Sequence, residues 1–241
     1  MNNLAGQFKQ LTDYAYVLHS VPYKETSLIV ELFTLSQGRI PVIAKGAKRK
    51  HSALRSVLVQ FHPLMIKLSG RSEVKTLLSA EWQGFSLAPE GRAIFAAYYL
   101  NELLMLSLKR EDPYPELFHL YAQTLSLLAE HADIHLVIRK FELKLLELIG
   151  YGIDFSKDKN GFPIQDDVDY SWQLGAGWVT EDDGQLGITL SGQLIRQIHD
   201  NGVSLLNAKV LKSLTRQVLA YHTAPKGFTS RIWMEQLLKN D

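Results

Sequence analysis

The chain has 241 residues, of which 46% are hydrophobic and 21% are charged, as is ordinary for a folded protein with one large domain or two small ones. It contains no cysteine, which excludes disulfides and cysteine-ligated zinc and fits a reducing cytosol. The formal net charge of +1 hides a strong segregation of charge along the chain. Residues 1–80 carry a net charge of +7, residues 81–190 carry −10, and residues 191–241 carry +4.

Neither a leader nor a membrane span is visible in the sequence. Residues 1–12 lack the apolar run of a signal peptide. The longest apolar stretch, 93–108, is interrupted by Asn101, Glu102 and Ser107 and is too short and too polar to cross a bilayer. We therefore expect a cytoplasmic protein with no membrane contact.

The first 80 residues are predicted to form a small β-barrel. Their segments are rich in β-branched and aromatic residues and are separated by turns such as Ser36-Gln37-Gly38. The predicted strands are 14–19, 27–33, 39–44, 63–68 and 74–81, and a short helix is predicted over 52–58. This order matches an OB barrel, although a small SH3-like barrel has a similar number of strands.

The pattern becomes helical after Pro89. Hydrophobic spacing and capping residues predict helices over 90–108, from Pro113 to 128, over 135–149, 191–199, 207–221 and 229–238. The acidic, glycine-rich segment 153–189 is predicted to form short strands or an irregular insert. The expected fold class is therefore α+β, with a five-stranded OB-fold domain at 1–82 and a mainly α-helical domain at 83–241.

No catalytic constellation stands out. Lys45-Gly46-Ala47-Lys48 lacks the spacing of a phosphate-binding loop, and His131 and His135 lie at a helix boundary without a metalloprotease pattern. The acidic clusters 166–169 and 181–183 do not have the alternating ligands of a calcium loop. We expect no enzyme activity, no cofactor and no metal.

A basic loop, 45–51, is the strongest functional signal. No acidic residue lies between Glu31 and Glu73, a stretch that contains eight basic residues. Concentrated positive charge is typical of proteins that bind a polyanion, most often nucleic acid, although such a loop can also serve solubility alone. The predicted DNA-binding residues of the barrel are Arg39, Lys45, Lys48, Arg49, Lys50, Arg55, Arg71 and Lys75.

Aromatic residues of the barrel are candidates for stacking on bases. Tyr16, Tyr23 and Phe33 lie in or beside the predicted strands, but alternation alone does not say which of them face outward. A core role is the favoured interpretation for each.

A second basic stripe lies on the predicted helix 207–221. Lys209, Lys212 and Arg216 are spaced three and four residues apart and so share one face. They are predicted to extend a DNA path, and an ordinary solvated helix face is the alternative.

The collinear order of several short segments resembles the RecO family of bacterial DNA repair proteins. The matching segments are 16–20, 25–28, 33–34, 38–39, 44–47, 70–77, 101–104, 139–143, 148–152 and 230–231. The similarity covers nearly the whole chain and is weakest over 153–205. It implies an N-terminal OB domain, a helical C-terminal domain and a recombination mediator rather than an enzyme.

The resemblance also implies partners. Such proteins bind single- and double-stranded DNA without sequence specificity and anneal complementary strands, including strands coated by the single-stranded DNA-binding protein. With the partner RecR they help RecA to replace that coat, which implies a cytoplasmic, nucleoid-associated protein. Many relatives carry a four-cysteine zinc module at the position of 153–185, so this cysteine-free chain must fold there without zinc.

Relatives bind the acidic, phenylalanine-ending tail of the single-stranded DNA-binding protein on the helical domain. Such a tail needs an apolar pocket beside a cation, and the resemblance points to Arg139 and Lys140, with Tyr121 and Leu125 as walls. The alternative is that Arg139 pairs with a nearby glutamate. Two other functions remain open, namely an adaptor that docks protein tails and an RNA-binding OB protein.

Overall fold

The structure is a computed structural model, and it describes residues 10–70, 72–84, 88–180, 187–223, 228 and 230. The chain divides into two compact units, Met1–Glu130 with Ser230–Asp241, and His131–Thr229. The predicted domain boundary after residue 82 therefore differs from the boundary between these units after Glu130, because the first unit also contains the two helices that follow the barrel.

Five strands and a short helix build the barrel. They are β1 (Leu11–Tyr23), β2 (Ser27–Thr34), β3 (Gly38–Ala44), α1 (Ala53–Val57), β4 (Leu64–Ser69) and β5 (Lys75–Trp82). The strands predicted from composition are therefore confirmed, and β1 is longer than predicted because its second half continues to pair with β2 from His19 to Tyr23.

The barrel closes in the order β1-β2-β3-β5-β4. All neighbouring pairs are antiparallel except β3 and β5, which run parallel with Ile43 opposite Thr76. A parallel closing pair and a helix between the third and fourth strands are the OB arrangement, so the OB prediction is confirmed over the SH3-like alternative.

Alternate residues of the strands fill the barrel. The inward-facing residues include Ala15, Val17, Val30, Leu32, Ile40, Val42, Leu64, Ile66, Leu68 and Leu77, each no more than 3% exposed. The period of two places their neighbours on the outer surface.

The described part of the first unit also contains two longer helices, α2 (Arg92–Ser107) and α3 (Pro115–Ala129). Phe118 and Tyr121 of α3 pack on Tyr16 and Phe33 of the barrel, with ring centroids 5.1 to 6.2 Å apart. The amide of Asn101 on α2 donates to the Leu18 carbonyl at 3.0 Å. Part of the outer barrel surface is therefore covered within this unit.

The second unit contains α4 (Ile134–Leu148), β6 (Asp169–Gln173), β7 (Gly177–Val179), β8 (Ile188–Ser191), α5 (Gly192–Asn201) and α6 (Ala208–His222). Asp133 and Ser191 cap α4 and α5 by accepting from the amides of Leu136 and Leu194. The helix predicted over 229–238 lies outside the described residues, apart from Ser230.

The segment 153–189 combines an irregular stretch with a three-stranded sheet ordered β7-β6-β8. Its core is aromatic. Trp178 is 1% exposed, and its ring centroid lies 5.0 Å from that of Trp172. The indole N–H of Trp178 donates to the Asp154 carbonyl at 2.8 Å. Among the described residues, no three His, Asp or Glu side chains are grouped to hold a metal ion. None of the described helices is both long and apolar enough to cross a membrane.

Candidate nucleic-acid interface

The basic loop, residues 45–51, lies between the end of β3 and α1 at the rim of the barrel. Ala47 is 1% exposed and anchors the loop in the barrel core, whereas Lys45, Lys48, Arg49 and Lys50 are exposed. The small apolar residue inside and the long cationic residues outside orient the loop so that its charge faces solvent.

Backbone hydrogen bonds hold the basic loop in shape. The amide of Lys48 donates to the Thr26 carbonyl at 2.9 Å, which ties the loop to the turn between β1 and β2. The amide of Arg49 donates to the Gly46 carbonyl at 3.0 Å, and the amide of Ser52, the residue after the loop, donates to the Arg49 carbonyl at 3.1 Å. The cations therefore stand on an ordered backbone.

The cations of the basic loop have no acidic partner in the part of the chain that the structure describes. Lys45, Lys48, Arg49, Lys50 and the exposed Arg55 of α1 form no ion pair with any described carboxylate. A shallow cavity of about 390 Å³ lies among residues of the loop, including Lys45, Arg49 and Lys50. The geometry thus concentrates positive charge where an anion can approach.

Lys24 is a basic residue of this surface that sequence reasoning did not select. It lies in the β1–β2 turn with its ammonium group 5.3 Å from the centre of the Tyr23 ring. Its carbonyl accepts from the Lys48 ammonium group at 3.5 Å. The signal that could have found Lys24 is its place in a β1–β2 loop, which in OB folds belongs to the binding surface.

Two other predicted DNA-binding residues, Arg39 and Lys75, have partners inside the first unit. The Arg39 guanidinium is half-buried and donates to the Met105 carbonyl at 2.9 Å. Burial lowers the pKa of Arg39 from its usual range, an effect opposed by Glu31 and reinforced by Arg110. The Lys75 side chain is only 13% exposed and pairs with Glu111 at 2.5 Å. Arg71 lies outside the described residues.

Two of the three candidate stacking aromatics are buried. Tyr16 is 6% and Phe33 0% exposed, and both lie under α3. Burial also raises the pKa of the Tyr16 hydroxyl. Tyr16 and Phe33 are thus core residues, as the favoured interpretation expected. Tyr23 is half-exposed beside Lys24.

The basic stripe of α6 lies on its solvent side within the second unit. Lys209 and Lys212 are exposed, whereas Leu211, Leu214 and Val218 are buried on the opposite face. Arg216 is half-buried, and its Nε has no hydrogen-bond partner among the described residues. The predicted face is therefore present, with Arg216 more enclosed than the two lysines.

The residues predicted to hold an acidic tail lie in contrasting environments. Arg139 is 6% exposed and its guanidinium bonds to the carboxylate of Glu142 and, at 2.9 Å, to the Thr215 hydroxyl. Its neighbour Lys140 is exposed. Pairing of Arg139 with a glutamate, the alternative raised by the sequence, is the arrangement observed.

Tyr121 and Leu125 belong to the core of the first unit. Tyr121 is fully buried and donates its hydroxyl to the Asn101 side-chain oxygen at 2.5 Å. Burial raises the pKa of this hydroxyl well above its usual value. Leu125 is 3% exposed. Neither side chain presents an open surface.

A groove of about 500 Å³ beside Lys140 is a feature that the sequence did not indicate. It lies in the second unit between α4 and the end of α5. Its walls are apolar at Leu143, Ile153, Phe155 and Val203. Lys140 supplies an exposed ammonium group, whereas Lys144 is paired with Glu147, which also lines the groove, at 2.9 Å. No local signal reveals this groove, because its walls come from three separate segments of the chain.

The closed five-stranded barrel with a cationic loop at its rim, followed by a largely helical region, defines an OB-fold protein. Family models agree with this division. The model described as Recombination protein O N terminal matches residues 8–85, and the one described as Recombination protein O C terminal matches residues 89–231. The chain belongs to the recombination protein O (RecO) family, as the resemblance in its sequence indicated.

Curated relatives match this chain over most of its length. The DNA repair protein RecO of Nitrosospira multiformis is 39% identical over 235 residues, covering 96% of both chains. The protein of the same name from Dechloromonas aromatica is 40% identical and covers 92% of this chain and 94% of its own. That of Methylococcus capsulatus is 41% identical, with 92% and 91% covered.

Proposed function

We propose that this chain acts in DNA repair and recombination as a non-catalytic mediator that binds DNA without sequence specificity and anneals complementary strands. The observation that carries the proposal is the set of unpaired, exposed cations on the ordered basic loop of an OB barrel. Family membership supports the same function. Lysine and arginine side chains neutralise phosphates and release counterions, which drives binding without reading bases.

Annealing follows from this mode of binding. A protein that contacts phosphates leaves base edges available for pairing, and it reduces the repulsion between two strands by screening their charge. Single- and double-stranded DNA are therefore both substrates. The family resemblance adds the further proposal that the chain works with RecR to help RecA load onto coated single strands.

The salt dependence of DNA binding tests the role of the basic loop. If about five side chains contact phosphates of a single strand, the log–log slope of affinity against salt is roughly −3.5. Replacing Lys48, Arg49 and Lys50 by alanine is expected to reduce the slope to roughly −1.4, and hence to weaken binding about 100-fold at 0.1 M salt. The measurement is fluorescence anisotropy of a labelled single strand across a salt series.

A matched control removes the same charge elsewhere. Lys109, Lys157 and Lys159 are exposed and lie outside the basic loop, so their replacement by alanine is expected to leave the slope nearly unchanged. Equal losses in the two triple variants would contradict a specific role for the loop. The functional assay is the rate of annealing of complementary strands at low salt. If the parent protein does not accelerate annealing, the mediator proposal is wrong.

A protein-tail site is the second proposal, and the groove beside Lys140 favours it. The proposed ligand is the acidic tail of the single-stranded DNA-binding protein, with its terminal aromatic ring in the apolar part of the groove and a carboxylate near Lys140. Arg139 is a poor tail ligand because its guanidinium already binds two groups inside the unit.

Two alternative functions predict different outcomes. If the chain is mainly an adaptor, the alanine variant of Lys48, Arg49 and Lys50 supports repair in cells as well as the parent does. If it is an RNA-binding OB protein, an RNA oligonucleotide displaces DNA of the same sequence at lower concentration than DNA displaces RNA. The mediator proposal predicts no such preference, since phosphate contacts do not read the 2′-hydroxyl.

A further inference from the structure

An exposed aromatic pair, Trp82 and His62, lies on the barrel outside the basic loop. Trp82 is the last residue of β5 and is 52% exposed, whereas Trp172 and Trp178 are no more than 8% exposed. The rings of Trp82 and His62 stack with centroids 5.0 Å apart and planes 18° apart. Exposing a large aromatic side chain forgoes the gain from burying it, so its place on the surface calls for an explanation.

The tryptophan ring is held in a fixed orientation. Its indole N–H donates at 3.0 Å to the carbonyl of Val57, the last residue of α1. The backbone beside it is also fixed, because the amide of Gln83 donates to the Pro63 carbonyl at 2.8 Å. A ring that is already ordered loses little conformational entropy when a ligand stacks on it.

The pair lies at the same end of the barrel as the basic loop. Strands β3 and β5 run parallel, the basic loop follows β3, and Trp82 ends β5. Helix α1, which carries the exposed Arg55, joins the basic loop to the contact with Trp82. Glu81 precedes Trp82 in β5. Because successive side chains of a strand alternate, the Glu81 carboxylate points to the face opposite the Trp82 ring.

We propose that Trp82, backed by His62, is a stacking platform for an unpaired DNA base, reached by a single strand that runs from the basic loop past Arg55. The inference rests on the proposed DNA-binding function and adds to it a contact that only single strands can make. Stacking on an aromatic face tolerates any base, whereas the bases of a duplex are already stacked on one another.

Two substitutions separate stacking from a structural role. Both Trp82→Phe and Trp82→Leu remove the indole N–H that caps α1, but only phenylalanine keeps an aromatic face. Trp82→Phe is expected to retain affinity for oligothymidylate within about twofold, and Trp82→Leu to weaken it roughly 5- to 30-fold. Affinity for a duplex is expected to stay the same in both variants, and thermal unfolding is measured for each.

Fluorescence gives an independent readout. Oligothymidylate is expected to quench the tryptophan emission of the parent protein, and Trp82→Phe is expected to lose that quenching while still binding. Equal affinities of the Phe and Leu variants for oligothymidylate would overturn the platform, as would an equal loss on duplex DNA. A larger loss on oligouridylate than on oligothymidylate would assign the platform to RNA and also overturn the proposal.

The Lys48, Arg49 and Lys50 alanine variant is measured in the same series. If this variant loses DNA affinity while Trp82→Leu does not, the stacking role of Trp82 is contradicted and the proposed function stands. If neither variant loses affinity, the proposed function fails as well.

Discussion

Arg139 and Lys140 are adjacent cations with opposite environments. Arg139 is buried and bonds to Glu142 and Thr215, and Thr215 also donates to the Glu142 carboxylate at 2.5 Å. Since Thr215 lies on α6, this network joins α4 to α6 within the second unit. Lys140 points to solvent at the edge of the groove. One cation therefore holds two helices together, and the other is available to a ligand.

Arg139→Ala is expected to destabilise the second unit by about 3 kcal/mol, because it removes one partner of a buried ion pair. Lys140→Ala, the matched control, is expected to change stability by less than about 0.5 kcal/mol. Urea unfolding followed by tryptophan emission reports on this unit through the buried Trp172 and Trp178. Equal stabilities of the two variants would contradict the structural role assigned to Arg139.

At the scale of elements, the β2–β3 hairpin is fixed against the segment that joins α2 to α3. The amide of Glu111 donates to the Arg39 carbonyl at 2.9 Å. The guanidinium of Arg110 binds Glu31 at 2.5 Å and Glu73 at 3.0 Å, and its hydrogen bond with Glu31 raises its pKa. This contact holds one side of the barrel against the helices of the same unit.

Gly38 is required at the tip of that hairpin. Its φ is +68°, and a Cβ placed there would lie 1.9 Å from the Asp112 carbonyl oxygen. Gly84 has the same φ of +68° with no atom within 4 Å of such a Cβ. Gly84→Ala is therefore expected to cost about 1 kcal/mol from backbone strain alone, and Gly38→Ala clearly more, roughly 3 kcal/mol, because the carbonyl must also move.

Thermal unfolding of the two alanine variants checks this difference. If Gly38→Ala unfolds at the same temperature as Gly84→Ala, the close approach of the Asp112 carbonyl does not add to the cost of a side chain at position 38.

At the scale of the whole molecule, each of the two units carries its own candidate binding surface. The barrel carries exposed, unpaired cations on its basic loop, whereas the second unit combines an apolar groove with lysines at its edge. The two proposed activities, binding DNA and capturing a protein tail, therefore depend on different residues. Substitutions are expected to separate them.

Lys140→Glu is expected to weaken binding of an acidic, phenylalanine-ending tail peptide roughly 10-fold, since it replaces a favourable charge contact by a repulsive one. Annealing of strands coated by the single-stranded DNA-binding protein should slow, and annealing of bare strands should keep its rate. Lys159→Glu, an exposed lysine of the same unit outside the groove, serves as the control. The tail site would be refuted if Lys140→Glu slowed bare and coated strands equally.

Local sequence patterns predicted the elements well. The strands of the barrel and the helices α2 to α6 lie within a few residues of their predicted positions, because period, turn residues and caps are local properties. The irregular segment 153–189 could be predicted only as short strands or an insert. Its sheet pairs Trp172 with Trp178 around an aromatic core, and that pairing leaves no simple period in the sequence.

The sequence by itself determined a five-stranded barrel, the basic loop after its third strand and the family, because strand alternation, charge and collinear motifs can be read from the sequence alone. The closing parallel pair of β3 and β5, which distinguishes an OB barrel from an SH3-like one, is a feature of the tertiary structure. Only the tertiary structure decided which charged and aromatic side chains remain available to a ligand. Arg39 binds the carbonyl of Met105, 66 residues away, and Arg139 binds Thr215, 76 residues away, whereas no cation of the basic loop pairs with a described carboxylate. Trp82 follows directly after the predicted strand 74–81, and its exposure was not evident from the sequence. Availability depends on contacts between distant segments, and these are set by the fold rather than by local pattern.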